Sequence, residues 1–62
     1  MKDEMLSVRD VSKLFKVHEW TVYNWVKQGQ IPYIRIGGTI RFQKSDIDTF
    51  IKKLLSAGAV IE

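Results

Sequence analysis

Apolar residues recur at helical spacing in the first part of the chain. One stripe predicts a helix of about two turns, and it consists of Val8, Val11, Leu14 and Phe15. Ser7 precedes the stripe and Asp10 follows three residues later, which predicts a capping box at the start of this helix. Residues 1–6 are then a polar lead-in to the domain.

A second apolar stripe follows a break at residues 16–18. It predicts another short helix, restarting at residue 18 or 19, whose buried face is formed by Val22, Trp25 and Val26. Gly29 comes at the end of this helix, where glycine readily takes the left-handed conformation that closes it. Two short helices joined by a tight turn are the layout of a helix-turn-helix.

Residues 33–42 alternate between apolar and polar side chains around Gly37 and Gly38, which predicts a β-hairpin. A two-residue loop would pair Ile36 with Thr39, whereas a three-residue loop over residues 37–39 would pair Ile36 with Ile40. We favour the three-residue loop because it buries one complete face of the hairpin. That face consists of Ile34, Ile36, Ile40 and Phe42.

The favoured register sets Arg35 directly opposite Arg41. Like charges across a ladder are destabilising, and a polyanion lying against the hairpin would reverse that effect. The alternative is a pair of solvated arginines that splay apart.

The last part of the chain predicts a third helix, capped by Ser45 with acidic residues in its first turn. Its apolar stripe comprises Ile47, Phe50, Ile51, Leu54 and Leu55. Gly58 is the predicted stop, and residues 57–62 are a tail. The fold class is therefore α+β, a small winged helix-turn-helix of residues 7–56 with a two-stranded hairpin and a C-terminal helix.

Composition narrows the classes of function. A chain of 62 residues forms one domain with one core. It contains no cysteine, and its single histidine and scattered carboxylates do not suggest a metal site or a catalytic centre. We therefore expect no enzyme activity and no cofactor. No apolar run is long enough to span a membrane. The start Met1-Lys2-Asp3-Glu4 is not followed by the apolar stretch of a signal peptide, which argues against one. The net charge of +3 alone does not distinguish a phosphate-binding surface from an ordinary solvated one.

The outward face of the second helix carries side chains suited to reading duplex DNA. Asn24 can pair with an adenine edge, and Glu19 can accept a hydrogen bond from a cytosine amino group. Thr21 or Tyr23 can donate to phosphate, and Lys27 can contact phosphate as a point charge.

Two neighbouring aromatic residues leave alternatives open. Trp20 can contact a thymine methyl group, a sugar or a protein partner, or it can fold back onto the tip of the domain. His18 can stand in for an N-cap residue or touch a phosphate at the helix start.

The chain resembles the excisionase family of helix-turn-helix proteins, which is related to the DNA-binding domain of MerR-type regulators. The resemblance spans residues 6–55. It rests on four runs: Leu6-Ser7-Val8-Arg9-Asp10-Val11, Thr21-Val22-Tyr23-Asn24-Trp25-Val26, Gly29-Gln30-Ile31-Pro32 and Arg35-Ile36-Gly37-Gly38-Thr39-Ile40-Arg41-Phe42.

The resemblance implies a recognition helix around residues 19–24 and a wing at residues 37–41, including Gly38 and Thr39, that follows the DNA backbone or enters the minor groove. It implies that Arg35 and Arg41 are the charges of this wing. This chain departs from the family in three places. Lys16 stands where members often have glycine, which puts a non-glycine residue in a left-handed conformation at a cost of about 1 kcal/mol. His18 stands where serine is usual, and Glu19-Trp20 replaces small or basic residues.

We accordingly expect sequence-specific binding of double-stranded DNA in recombination or transcription, in the bacterial cytoplasm at the nucleoid. On the DNA, we expect the partner to be a second copy of the chain that binds cooperatively, or a recombinase. No small-molecule effector is implied. Two alternatives are a protein-interaction module on the same fold, and the DNA-binding end of a larger phage or regulatory protein.

Overall fold

The computed structural model describes residues 4–58. It contains three helices and a three-stranded antiparallel sheet with the strand order β1-β3-β2. In chain order the elements are β1 (Met5–Leu6), α1 (Val8–Phe15), α2 (Glu19–Lys27), β2 (Ile34–Ile36), β3 (Thr39–Gln43) and α3 (Lys44–Ala57). This arrangement confirms the α+β helix-turn-helix fold with a hairpin and a C-terminal helix. Residues 59–62 of the predicted tail lie outside the described residues.

The predicted capping box at the start of α1 is confirmed. The backbone N–H of Ser7 donates to Oδ2 of Asp10 at 3.0 Å, and the backbone N–H of Asp10 donates to Oγ of Ser7 at 3.1 Å. These two bonds satisfy donors that an uncapped helix start would leave without partners.

Both helices of the helix-turn-helix end in the same backbone motif. After α1, Lys16 has φ of 58° and the N–H of Val17 donates to the carbonyl of Ser12 at 2.9 Å. After α2, Gly29 has φ of 69° and the N–H of Gln30 donates to the carbonyl of Trp25 at 2.9 Å. This is the Schellman geometry, in which the left-handed residue is normally glycine. The left-handed conformation predicted for Lys16 is therefore confirmed.

The predicted hairpin register was wrong. Ile36 pairs with Thr39, Arg35 with Ile40 and Ile34 with Arg41, across the two-residue loop Gly37-Gly38. Gly37 has φ of 61° and Gly38 does not have positive φ, the pattern of a type II′ turn, which suits the twist of two-residue hairpins. Burying one complete face did not decide the register because the hairpin tip extends beyond the core, and Ile36 is 56% exposed.

Arg35 and Arg41 consequently do not face each other across the ladder. Arg35 lies opposite Ile40 on one face of the hairpin, and Arg41 lies opposite Ile34 on the other face. The hairpin therefore has no directly opposed pair of arginines that would need an anion to offset its repulsion.

Two further features of the sheet were not predicted. Met5 and Leu6, within the predicted lead-in, form β1 and pair with Gln43 and Phe42 of β3. The N–H of Lys44 also donates to the carbonyl of Glu4 at 2.9 Å, so the ladder continues to the first residue of α3. The helix therefore starts directly from the strand, with Gln43 rather than Ser45 at the N-cap. The predicted stop is confirmed, because Gly58 is the left-handed cap of α3.

The core lies between the three helices and β3. Its buried members are Val8, Val11, Val22, Trp25, Val26, Ile31, Phe42 and Ile47. The ring of Phe15 stands nearly perpendicular to that of Trp25, with the ring centroids 5.5 Å apart. Leu14 and Leu55, which the periodicity also assigned to buried faces, are exposed. Within the described residues, no helix has the length and apolar character needed to cross a membrane.

Candidate nucleic-acid interface

The second helix presents a broad polar and aromatic face to solvent. Glu19, Asn24 and Lys27 are exposed there, and Thr21 at its edge is half-buried. Trp20 and Tyr23 are 64% and 50% exposed, which is unusual for side chains of their size. The opposite face of α2 is in the core, as the sequence predicted, so this outer face is held by a fixed scaffold.

Trp20 remains at the surface and does not fold back onto the domain. Its ring lies nearly parallel to that of His18, at an interplanar angle of 11° and a centroid separation of 6.3 Å. His18 occupies the N-cap position of α2, but its side chain makes no capping hydrogen bond. The imidazole therefore contacts the indole and leaves the first N–H groups of the helix without a side-chain cap.

A groove of about 380 Å³ forms where the outer face of α2 meets the hairpin and the start of α1. Its lining residues come from all three elements: Ser7, Val8, Arg9, Glu19, Tyr23, Gly38, Thr39, Ile40 and Arg41. The fold thus brings five of the predicted site residues together around one groove. The other predicted residues lie outside its lining, and these are His18, Trp20, Thr21, Asn24, Lys27 and Arg35.

Charges of both signs surround this groove. Nε of Arg9 lies 3.5 Å from Oε2 of Glu19, which joins α1 to α2. From the hairpin side, Nη1 of Arg41 donates to the carbonyl of Ile40 at 2.8 Å. The pKa of Asp10 is lowered mainly by its backbone and side-chain hydrogen bonds with Ser7, and to a smaller degree by the positive charges of Lys13 and Arg41. The groove therefore has basic walls with a carboxylate on the α2 side.

Sequence reasoning did not identify Arg9 as a site residue. Its position on the solvent face of the first helix gave no signal to separate it from Lys13, another exposed cation of that helix. Only the packing of α1 against α2 reveals that Arg9 reaches Glu19.

A larger groove of about 1030 Å³ runs between the loop after α2 and the C-terminal half of α3. Ile31, Phe50 and Leu54 provide apolar walls, and Lys52 and Lys53 also line it. It contains none of the predicted site residues. No cluster of three or more potential metal ligands occurs within residues 4–58.

Comparison with known proteins supports the assignment of the fold. The sequence profile of a family described as a helix-turn-helix domain matches residues 5–54. Proteins from two strains of Mycobacterium tuberculosis, whose names provisionally assign DNA binding, are each 38% identical over 40 residues. The match covers 64% of this chain and 51% of each relative, so the chain spans about half the length of these curated relatives. No solved structure gives a significant match.

Proposed function

The chain belongs to the helix-turn-helix domain family, and on this premise we propose that it binds double-stranded DNA in a sequence-specific manner. The second helix enters the major groove with its outer face towards the base edges. The hairpin acts as a wing on the adjacent backbone or in the minor groove. The provisional names of the mycobacterial relatives are consistent with this proposal.

The observation that carries the proposal is the groove shared by α2, the hairpin and α1. A recognition helix reads bases with its N-terminal and outward residues, and Glu19 and Tyr23 occupy such positions on α2. The basic residues Arg9 and Arg41 flank them, where the phosphates of a duplex docked on α2 would run. Asn24, further along the same helix, is exposed and is suited to an adenine edge.

The corrected hairpin register supports a wing that inserts between two strands. Arg35 and Arg41 extend from opposite faces of the hairpin. In a minor groove about 6 Å wide, phosphates lie on both sides of an inserted element. Each arginine can then reach a different strand, which a side-by-side pair of arginines on one face could not do.

The biological process we propose follows from the excisionase resemblance. The protein would act as a recombination directionality factor or a transcription regulator at the nucleoid. One short recognition helix reads few bases, so binding would be cooperative with a second copy or with a recombinase. As the relatives are about twice as long as the aligned segment, the same domain can also serve as the DNA-binding part of a larger protein.

Duplex binding is tested by fluorescence anisotropy with a labelled random-sequence duplex at several salt concentrations. About five phosphate contacts predict a slope of log Kobs against log salt of about −4 to −5. Arg35→Gln and Arg41→Gln should each make the slope shallower by about 1. Lys53→Gln is the matched control, since Lys53 is an exposed cation beside the other groove. Affinity for duplex that does not depend on salt would overturn the proposal.

The exposed pair Trp20 and Tyr23 favours one competing function, a protein-interaction module that uses these aromatics as anchors. The two functions differ in their response to Arg35→Ala combined with Arg41→Ala. DNA binding predicts lost duplex affinity with an intact fold, whereas the interaction module predicts unchanged partner binding.

A further inference from the structure

The ion pair between Arg9 and Glu19 links the two helices at the edge of the groove. Nε of Arg9 is 3.5 Å from the Glu19 carboxylate, and the two side chains are 72% and 49% exposed. Exposed pairs of this kind contribute little to folding stability. Structural support is therefore a weak explanation for a pair whose two members line a proposed DNA-binding groove.

Arg9 has binding capacity beyond this pair. A guanidinium carries five N–H donors in a rigid planar fork, and only its Nε is engaged with Glu19. Within residues 4–58, no other side-chain hydrogen bond or ion pair of Arg9 is present. The terminal nitrogens can therefore take a phosphate while Nε keeps the carboxylate.

Glu19 presents the opposite problem. An ionised carboxylate only accepts hydrogen bonds, and near DNA it is repelled by phosphates. In the major groove it finds a suitable donor in the N4 amino group of cytosine, whereas the N6 amino group of adenine has the acceptor N7 beside it. Glu19 can therefore select cytosine, provided that something offsets its charge and fixes its orientation.

We infer that Arg9 is a DNA-contacting and positioning residue, which binds a phosphate with its terminal nitrogens and holds Glu19 in place to read a cytosine. The inference rests on the proposed function and adds a residue that the resemblance did not assign. It makes the base preference at one position of the site depend on a residue of the first helix. Lysine cannot replace Arg9 in this role, because an ammonium is a point charge without a planar fork.

The experiment is a selection from randomised duplexes followed by anisotropy with the selected and unselected DNA. The wild type should prefer cytosine at one position by roughly fivefold to 150-fold. Glu19→Gln should lose this preference and bind unselected DNA more tightly. Arg9→Gln should lose the same preference and make the salt slope shallower by about 1. Arg9→Lys should keep the slope but lose the preference.

Two controls separate positioning from simple charge. Arg35→Gln removes a cation from the hairpin, so it should weaken binding while leaving the cytosine preference unchanged. In the Arg9→Gln background, Glu19→Gln should raise the affinity for unselected DNA by a larger factor than in the wild type, because the carboxylate is then not neutralised. All three substituted positions, Arg9, Glu19 and Arg35, are exposed, so circular dichroism should report an unchanged fold.

The outcomes distinguish the inference from the function on which it rests. If the wild type fails to bind any duplex, the proposed function is overturned and the inference with it. If the wild type binds, but Arg9→Gln keeps both the salt slope and the cytosine preference, only the inference is overturned. Equal effects of Arg9→Gln and Arg35→Gln on base preference would also overturn it.

Discussion

Arg41 lies directly opposite Ile34 on one face of the hairpin, and Arg35 lies opposite Ile40 on the other face. Arg41 is half-buried and donates to the carbonyl of Ile40, whereas Arg35 is exposed. The two arginines thus have different surroundings and are not a directly opposed pair. The free hairpin carries no like-charge penalty between them that a bound anion would have to relieve.

Reversing the charge of Arg35 should leave the stability of the free protein nearly unchanged. With Ile40 as its cross-strand neighbour, Arg35→Glu should change the free energy of unfolding by less than about 0.5 kcal/mol, as at other exposed positions. Urea denaturation measures this change, with Arg35→Gln as the uncharged control. If Arg35 faced Arg41, the glutamate would gain an opposite-charge pair worth about 0.2–1 kcal/mol. A gain of that size that disappears in an Arg41→Gln background would contradict the register.

Glycine at position 16 should stabilise the protein. Lys16 holds φ of 58° in the motif where α2 uses Gly29, and relief of this strain outweighs the added freedom of the unfolded chain. We expect Lys16→Gly to raise the free energy of unfolding by about 0.5–1 kcal/mol and the melting temperature by several degrees. Lys16→Ala is the control, since it removes the charge but keeps a Cβ in the left-handed conformation. An equal gain from alanine would trace the effect to the lysine side chain instead.

The parts of the fold that the sequence predicted correctly depend on local rules. The capping box needs only Ser7 and Asp10, and the ends of α2 and α3 follow from the glycines Gly29 and Gly58. The left-handed Lys16 was expected only from the family resemblance. The hairpin register depends on where the core stops, which no local rule supplies, and Ile36 lies beyond that limit. β1 was missed because a two-residue strand carries no periodic pattern. Arg9 entered the site only through the packing of α1 on α2.

The capping box at the start of α1 predicts a specific dependence of stability on acid. Hydrogen bonds from Ser7 lower the pKa of Asp10 below its ordinary value of 3.8 in the folded protein. The unfolded chain therefore binds this proton more tightly. The stability that the carboxylate contributes is present above about pH 4 and is lost as the pH falls through the folded-state pKa.

NMR titration of the Asp10 carboxyl group in the wild type and in Ser7→Ala measures this effect. In the variant, the pKa of Asp10 should rise only part of the way towards its ordinary value, because alanine keeps the backbone N–H that donates to Asp10. The loss of the serine cap should cost about 1 kcal/mol at neutral pH. Asp10→Asn should remove this contribution to the acid dependence. An unchanged pKa of Asp10 in Ser7→Ala would assign the shift to the backbone N–H of residue 7, which alanine keeps, rather than to the serine hydroxyl.

The two tryptophans should report separately on the core and on the outer face of α2. Trp25 is 7% exposed and Trp20 is 64% exposed, so acrylamide should quench Trp20 and largely spare Trp25. Trp20→Phe should leave a blue-shifted, protected emission from Trp25, while retaining an aromatic ring to stack on His18. Added duplex should protect Trp20 in the wild type and leave the emission of the variant unchanged.

Trp20→Ala should weaken duplex binding by about 1 kcal/mol, roughly fivefold in Kd, through lost apolar contact. If acrylamide still has full access to Trp20 when the protein is saturated with duplex, Trp20 lies away from the DNA. That result would favour a role of Trp20 as an anchor for a protein partner.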